Sequence, residues 1–197
     1  MTMPPAPPSL VGCGILHKEI RHLCACNDWP LETTFLDPGL DTNMTRLGRQ
    51  LTDTLARQHD RSPIVFYGCC HPLIDRMVAD AGTFRTEGRN CIEMLLGRER
   101  FDRELADGAY FLLEDWARRW DRVMAEMFGP HQEIAAEIFA GDRTHILAVR
   151  TPCSSDFTAA AEHAAASVAL PLRWTDAGLD HLERVLAKAL DRLSGAP

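Results

Sequence analysis

The chain has 197 residues, 46% of them hydrophobic and 25% charged, and a formal net charge of −7. That length buries a core as one domain or two small lobes. Acidic and basic residues are interspersed without the basic stripe a nucleic-acid partner requires, and no apolar run is long enough to span a bilayer. The opening Met1-Thr2-Met3-Pro4-Pro5-Ala6-Pro7-Pro8 lacks a basic n-region and an apolar h-region, so residues 1–9 read as a tail and a cytoplasmic location is expected. Seven cysteines, an odd number with no disulfide framework, read as reduced thiols.

Leu10 to Cys13 predicts a first strand, and a helix follows Gly14 through about Asp28. Leu31 to Leu36 predicts a second strand, closed by Asp37-Pro38-Gly39. Thr42 or Asn43 then caps a helix whose Leu47, Leu51, Thr54 and Leu55 share a face. Ile64 to Tyr67 is the third strand. Strands alternating with helices at these intervals predict an α/β protein, with mostly parallel, doubly wound sheets.

Further on, Asn90 caps a helix from Cys91 to Leu96. Residues 98–140 read as a helical insertion, including a long amphipathic helix from Tyr110 to Phe128. The Trp116, Trp120, Val123, Met124 and Met127 stripe of that helix reads as core packing. His145 to Val149 is a strand, Asp156 to Ala169 a helix, Leu170 to Trp174 a last strand, and Leu179 to Leu193 a closing helix. The expected division is an N-terminal α/β portion over 10–97, the helical segment over 98–140 and a C-terminal α/β portion over 141–193. Two Rossmann-like lobes are one arrangement of these parts.

Three strand-like runs end in cysteine: Val11-Gly12-Cys13-Gly14, Tyr67-Gly68-Cys69-Cys70-His71 and Val149-Arg150-Thr151-Pro152-Cys153. In open α/β sheets ligands sit outside the carboxyl ends of the strands, so these thiols are candidates for one rim. Cys91, at a predicted helix start, joins them. Cys69 and Cys70 point to opposite sides of an extended chain, and Cys70, beyond the strand proper, is the better candidate. Thus Cys13, Cys70 and Cys91 form the predicted metal-binding set. His71 is a fourth ligand or acid/base group, and Cys153 a nucleophile or added ligand. Arg85 and Glu87, in a charged loop beside Cys91, are candidates for binding an anionic cofactor group. No Gly-x-Gly-x-x-Gly, Walker lysine, Gly-x-Ser-x-Gly or Cys-x-x-Cys motif is present.

Val11-Gly12-Cys13-Gly14, Tyr67-Gly68-Cys69-Cys70 and Asn90-Cys91-Ile92-Glu93-Met94-Leu95-Leu96-Gly97 together resemble the domain of unknown function 1638 family, over roughly residues 10–190. Gly108-Ala109-Tyr110 and Asp115-Trp116 extend the likeness. The sequence departs from the family at His71, where glycine is usual, and at Asp41-Thr42-Asn43, where many members carry Leu-His-Asn. The resemblance implies a setting beside corrinoid proteins and corrinoid-dependent methyltransferases, in one-carbon metabolism. The expectation is therefore a protein holding an iron–sulfur cluster or zinc through Cys13, Cys70 and Cys91, meeting a corrinoid through a partner protein. The alternatives are a metal-free cysteine enzyme, with Cys91 or Cys153 as nucleophile and His71 as base, and a non-catalytic accessory of such a methyltransferase system. A homo-oligomer is compatible with each.

Overall fold

The computed structural model describes residues 7–61, 63–129 and 132–195. In chain order it builds β1 (Ser9–Cys13), α1 (His17–Cys26), β2 (Glu32–Leu36), α2 (Met44–Arg57), β3 (Ile64–Phe66), α3 (Ile74–Asp80), α4 (Cys91–Leu96) and α5 (Arg98–Ala106). There follow β4 (Ala109–Leu112), α6 (Glu114–Arg118), α7 (Trp120–Phe128), α8 (Gln132–Asp142), β5 (His145–Arg150), α9 (Thr158–Ser167), β6 (Leu172–Asp176) and α10 (Asp180–Ser194). The fold is α/β, with two parallel three-stranded sheets ordered β2-β1-β3 and β4-β5-β6. Among the described residues no helix is long and apolar enough to cross a membrane.

The chain forms two compact units, Met1–Met94 with Asp180–Pro197, and Leu95–Leu179. In the first unit β1 is central. Val11 pairs in register with Thr34 on one side and Val65 on the other. The face carrying Val11 and Val65 is covered by Leu47, Leu51 and Leu55 of α2 and Ile74 and Val78 of α3, as the predicted stripe on α2 requires. Alternation sends Leu10, Ile64 and Phe66 to the opposite face, where they are also buried, and α10 contacts β3. Beyond β3, the Val65 amide donates to the Phe84 carbonyl and the Thr86 amide to the Val65 carbonyl, making one parallel bridge at Arg85.

The second unit packs β4 and β5 through Leu112, Ile146 and Ala148 onto Trp120, Phe139 and the small face of α9. On the other side of β4, Phe101 of α5 stacks on Phe111 with ring centroids 5.2 Å apart. This corrects the expectation of a helix from Tyr110 to Phe128, and with it the reading of 98–140 as wholly helical. Residues 109–112 form a strand because Gly108, at φ +83°, turns the chain and its carbonyl accepts the Thr144 amide at 2.9 Å. Tyr110-Phe111-Leu112 then alternates two ways, each face finding a core. The remaining helix breaks at Arg119 into α6 and α7. Trp120, Val123 and Met124 are buried as expected, whereas Met127 is exposed.

Candidate metal centre

The order β2-β1-β3 places a topological switch at β1: the chain leaves β1 for one neighbour and recrosses to the other. Ligand crevices of doubly wound sheets open at that point, at the carboxyl ends of the strands. Cys13 is the last residue of β1, Tyr67 to Cys70 follow β3, and Asp41 lies in the short helical turn Pro38–Thr42 that follows β2. Cys91 begins α4, downstream of the bridge at Arg85. All four segments leave the sheet at one edge.

Close backbone contacts hold these segments together. A Cβ at Gly12 would lie 2.7 Å from Phe66 Cβ, and one at Gly14 would lie 2.9 Å from the Leu36 carbonyl. The ends of β1, β2 and β3 are thereby pressed side by side. At Gly68 a Cβ would fall 2.3 Å from the Arg89 carbonyl and 2.5 Å from Asn90 Cα, and the Cys69 amide donates to the Arg89 carbonyl at 2.7 Å. The loop carrying Cys70 is thus joined to the residues that lead into Cys91. Asn90 Oδ1 accepts the Glu93 amide at 2.9 Å, capping α4 as the sequence predicts. The turn that carries Asp41 is fixed by Asp37, which accepts the Gly39 amide at 2.9 Å, and by buried Leu40.

The thiols of Cys13, Cys70 and Cys91 lie within electrostatic reach of one another. Burial raises Cys13 well above the ordinary thiol range, and Cys91, Asp41 and Cys70 push it the same way, against the Ile15 amide. Burial also raises Cys70, helped by Asp41. Cys91 is pushed up to about 12, by burial first and then by Cys70 and Asp41. The six residues of α4 and the Ile92 amide do not offset the desolvation. Asp41 itself is raised to about 6, chiefly by burial, with its own amide and that of Thr42 opposing. Tyr67, 3% exposed, packs in the cluster against which Cys13 and Cys70 lie, and its phenol is raised by burial first and then by Cys13, Cys70, Asp41 and Asp37. Among the described residues no three His, Cys, Asp or Glu side chains stand ready-formed as a metal-holding group.

His71 Nδ1 accepts the Leu73 amide at 3.0 Å, and its Nε2 lies 3.0 Å from where a Cβ on Gly48 of α2 would stand. Cys69 is exposed, with Arg85 Nη2 3.7 Å from its sulfur. Arg85 also donates to Asp75 at 2.6 Å and to the carbonyls of Thr86 and Gly88, so its guanidinium clamps the loop before Cys91. Glu87 accepts from Lys188 at 2.8 Å. Cys153 belongs to the second unit, in the turn before α9, where its amide donates to Thr151 Oγ1 at 3.1 Å. Sequence reasoning missed Asp41 and Tyr67. The signal for Asp41 was its place after a strand that neighbours β1; Tyr67 looked like the last residue of a buried strand.

A family model described as a protein of unknown function (DUF1638) matches residues 35–186. That span takes in Asp41, Tyr67, Cys70 and Cys91 and begins after Cys13. No curated protein and no solved structure matches the chain.

Proposed function

The chain belongs to the DUF1638 family of proteins of unknown function, and from that premise we propose that it holds a thiophilic metal centre, zinc or an iron–sulfur cluster, through Cys13, Cys70 and Cys91. The observation that carries the reading is the convergence of remote segments on the carboxyl end of one sheet: Cys13 closes β1, Asp41 follows β2, Cys70 follows β3, and Cys91 opens α4 after the bridge at Arg85. Half-buried groups that all become negative on ionising are costly to keep together without a cation. Their chemistry fits a soft metal: thiolates select zinc and iron–sulfur clusters over hard cations. The amides of Ile15, Gly68 and Ile92 already point at the three sulfurs and favour their thiolate forms.

Each residue then has a task. Cys13, Cys70 and Cys91 supply the sulfur ligands. Arg85, through Cys69 and the carbonyls of Thr86 and Gly88, holds the loop and places positive charge near Cys70. When bound, the metal supplies a positive charge that lets the thiols ionise at neutral pH, or a site for electron transfer. The setting we propose is corrinoid-dependent methyl transfer in one-carbon metabolism, with a corrinoid protein or methyltransferase as partner. What supports it is the resemblance carried by the cysteine motifs.

A metal-free nucleophile finds less support at Cys91. Burial first, and then Cys70 and Asp41, hold its thiol above the ordinary range and so disfavour the thiolate such a nucleophile needs.

Elemental analysis of anaerobically purified protein tests the proposal. Wild type is expected to carry stoichiometric zinc or iron, and Cys70→Ser to lose most of it while keeping its far-UV circular dichroism. Equal metal content in the two proteins, or none in wild type, would contradict the reading.

A further inference from the structure

Two buried oxygens at this edge have no hydrogen-bond partner among the described residues: Asp41 Oδ1 and the Tyr67 hydroxyl. A buried polar atom left unpaired is rare in folded proteins, because it forfeits its water without replacement. Both side chains lie within electrostatic reach of Cys13 and Cys70. Tyr67 packs in the same buried cluster as Leu40, the residue before Asp41, and Cys13 and Cys70 lie against that cluster. The neighbouring carboxylate, Asp37, is already used in capping its own turn. His71, the ligand expected from sequence, already has its Nδ1 engaged with the Leu73 amide.

Building on the three-thiol reading, we propose that Asp41 is the fourth ligand, completing a mononuclear Cys13, Cys70, Cys91 and Asp41 set for a divalent cation of the zinc class. Three sulfurs and one carboxylate oxygen suit a four-coordinate zinc site. Its four protein ligands give it the closed character of a structural or thiol-activating centre rather than that of a site with water in the fourth position. Arg85, beside Cys69 and Cys70, balances part of the net negative charge of such a set. Tyr67 is a positioning residue: its hydroxyl, among Cys13, Cys70 and Asp41, donates to the assembled ligands and so finds the partner it otherwise lacks.

Cobalt(II) reports both sulfur ligation and coordination number, so the test is titration of metal-free protein with Co²⁺ followed by competition with Zn²⁺. Wild type is expected to bind one Co²⁺ per chain, with thiolate-to-cobalt charge transfer in the near ultraviolet and the intense visible bands of a four-coordinate ion. Asp41→Ala and Asp41→Asn are expected to keep the charge-transfer intensity of three thiolates. Their visible bands change, and Zn²⁺ affinity falls at least about tenfold. Tyr67→Phe lowers affinity by a smaller factor and leaves the bands in place. Thermal melts of the metal-free proteins, with Asp41→Asn melting no lower than wild type, show that the carboxylate is not needed for folding alone. Wild-type affinity and unchanged visible bands in both Asp41 variants would overturn the assignment of Asp41 and leave the three thiols standing. So would metal-free Asp41 variants that fail to fold. Absence of charge transfer in wild type would overturn the three-thiol reading itself.

Discussion

At Gly68 the Arg89 carbonyl lies 2.3 Å from where a Cβ would be, so the joint between the Cys70 loop and the start of α4 leaves no room for a methyl group. Gly68→Ala has to push the two segments apart. The expected cost is about 1–3 kcal/mol of stability, with a fall in bound metal although no ligand has changed. Chemical denaturation and elemental analysis together check this; normal stability with full metal would contradict it. His145 gives a second prediction, in the other unit. It is buried and accepts or donates a 2.8 Å hydrogen bond with Thr144 Oγ1. Burial first, and then Arg173, hold its imidazole below the ordinary value of 6.5, against Asp107 and Glu104. The unfolded chain therefore takes up this proton more readily than the folded one. The contribution is intact above 6.5 and is lost as pH falls through and below it. His145→Gln is expected to flatten that part of the stability–pH curve, and an unchanged slope would rule the effect out. Cys13, Cys70 and Cys91 were legible in the sequence because each follows a run or cap whose end can be placed from β-formers, Gly or Asn. Asp41 and Tyr67 were not, because an aspartate after Pro-Gly looks like any turn residue. Its significance lies in an oxygen that only the packing shows to be buried and unpaired.

Among the elements, the segment from Gly108 to Phe128 shows how a strong period hides a boundary. Trp116, Trp120, Val123 and Met124 recur at helical spacing, and the same period extends backward through Tyr110 and Leu113 as if one helix ran throughout. What separates β4 is its pairing with β5, Ala109 with His145 through Leu112 with Ala148, a long-range contact no local pattern reveals. Trp120 is the anchor of the cluster that results. Its indole nitrogen donates to Ser167 Oγ at 2.6 Å, and its ring meets Tyr110 and Phe139 edge-on. Trp120→Ala is expected to cost about 3–5 kcal/mol. Ser167→Ala, which removes the partner of the indole N–H at the exposed rim of the cluster, should cost about 1 kcal/mol. Denaturant melts followed by near-UV circular dichroism would measure both, and a loss well under 1 kcal/mol for Trp120→Ala would refute the assignment of that ring to the core.

For the whole molecule, the α/β class and the parallel sheets followed from the alternation of strands and helices. The sequence suggested an N-terminal α/β portion over 10–97, a helical segment over 98–140 and a C-terminal α/β portion over 141–193. The fold keeps Leu95–Leu179 together and returns Asp180–Pro197 to the first unit, where α10 contacts β3. A reading that proceeds along the chain cannot see a terminal helix rejoining the first sheet. Ending the chain at Leu179 removes buried Leu182, Leu186 and Ala189. It is expected to cost the first unit its cooperative unfolding and its metal together; a truncated chain that melts cooperatively and keeps its metal would contradict that placement. The central claim, that cysteines 13, 70 and 91 share one ion or cluster, is tested most directly by X-ray absorption at the edge of the metal the protein carries. The account predicts about three sulfur scatterers near 2.3 Å that belong to the protein for bound zinc, with one fewer in each single Cys→Ser variant that retains metal. A first shell of nitrogen and oxygen alone, or a sulfur count indifferent to these three residues, would contradict it.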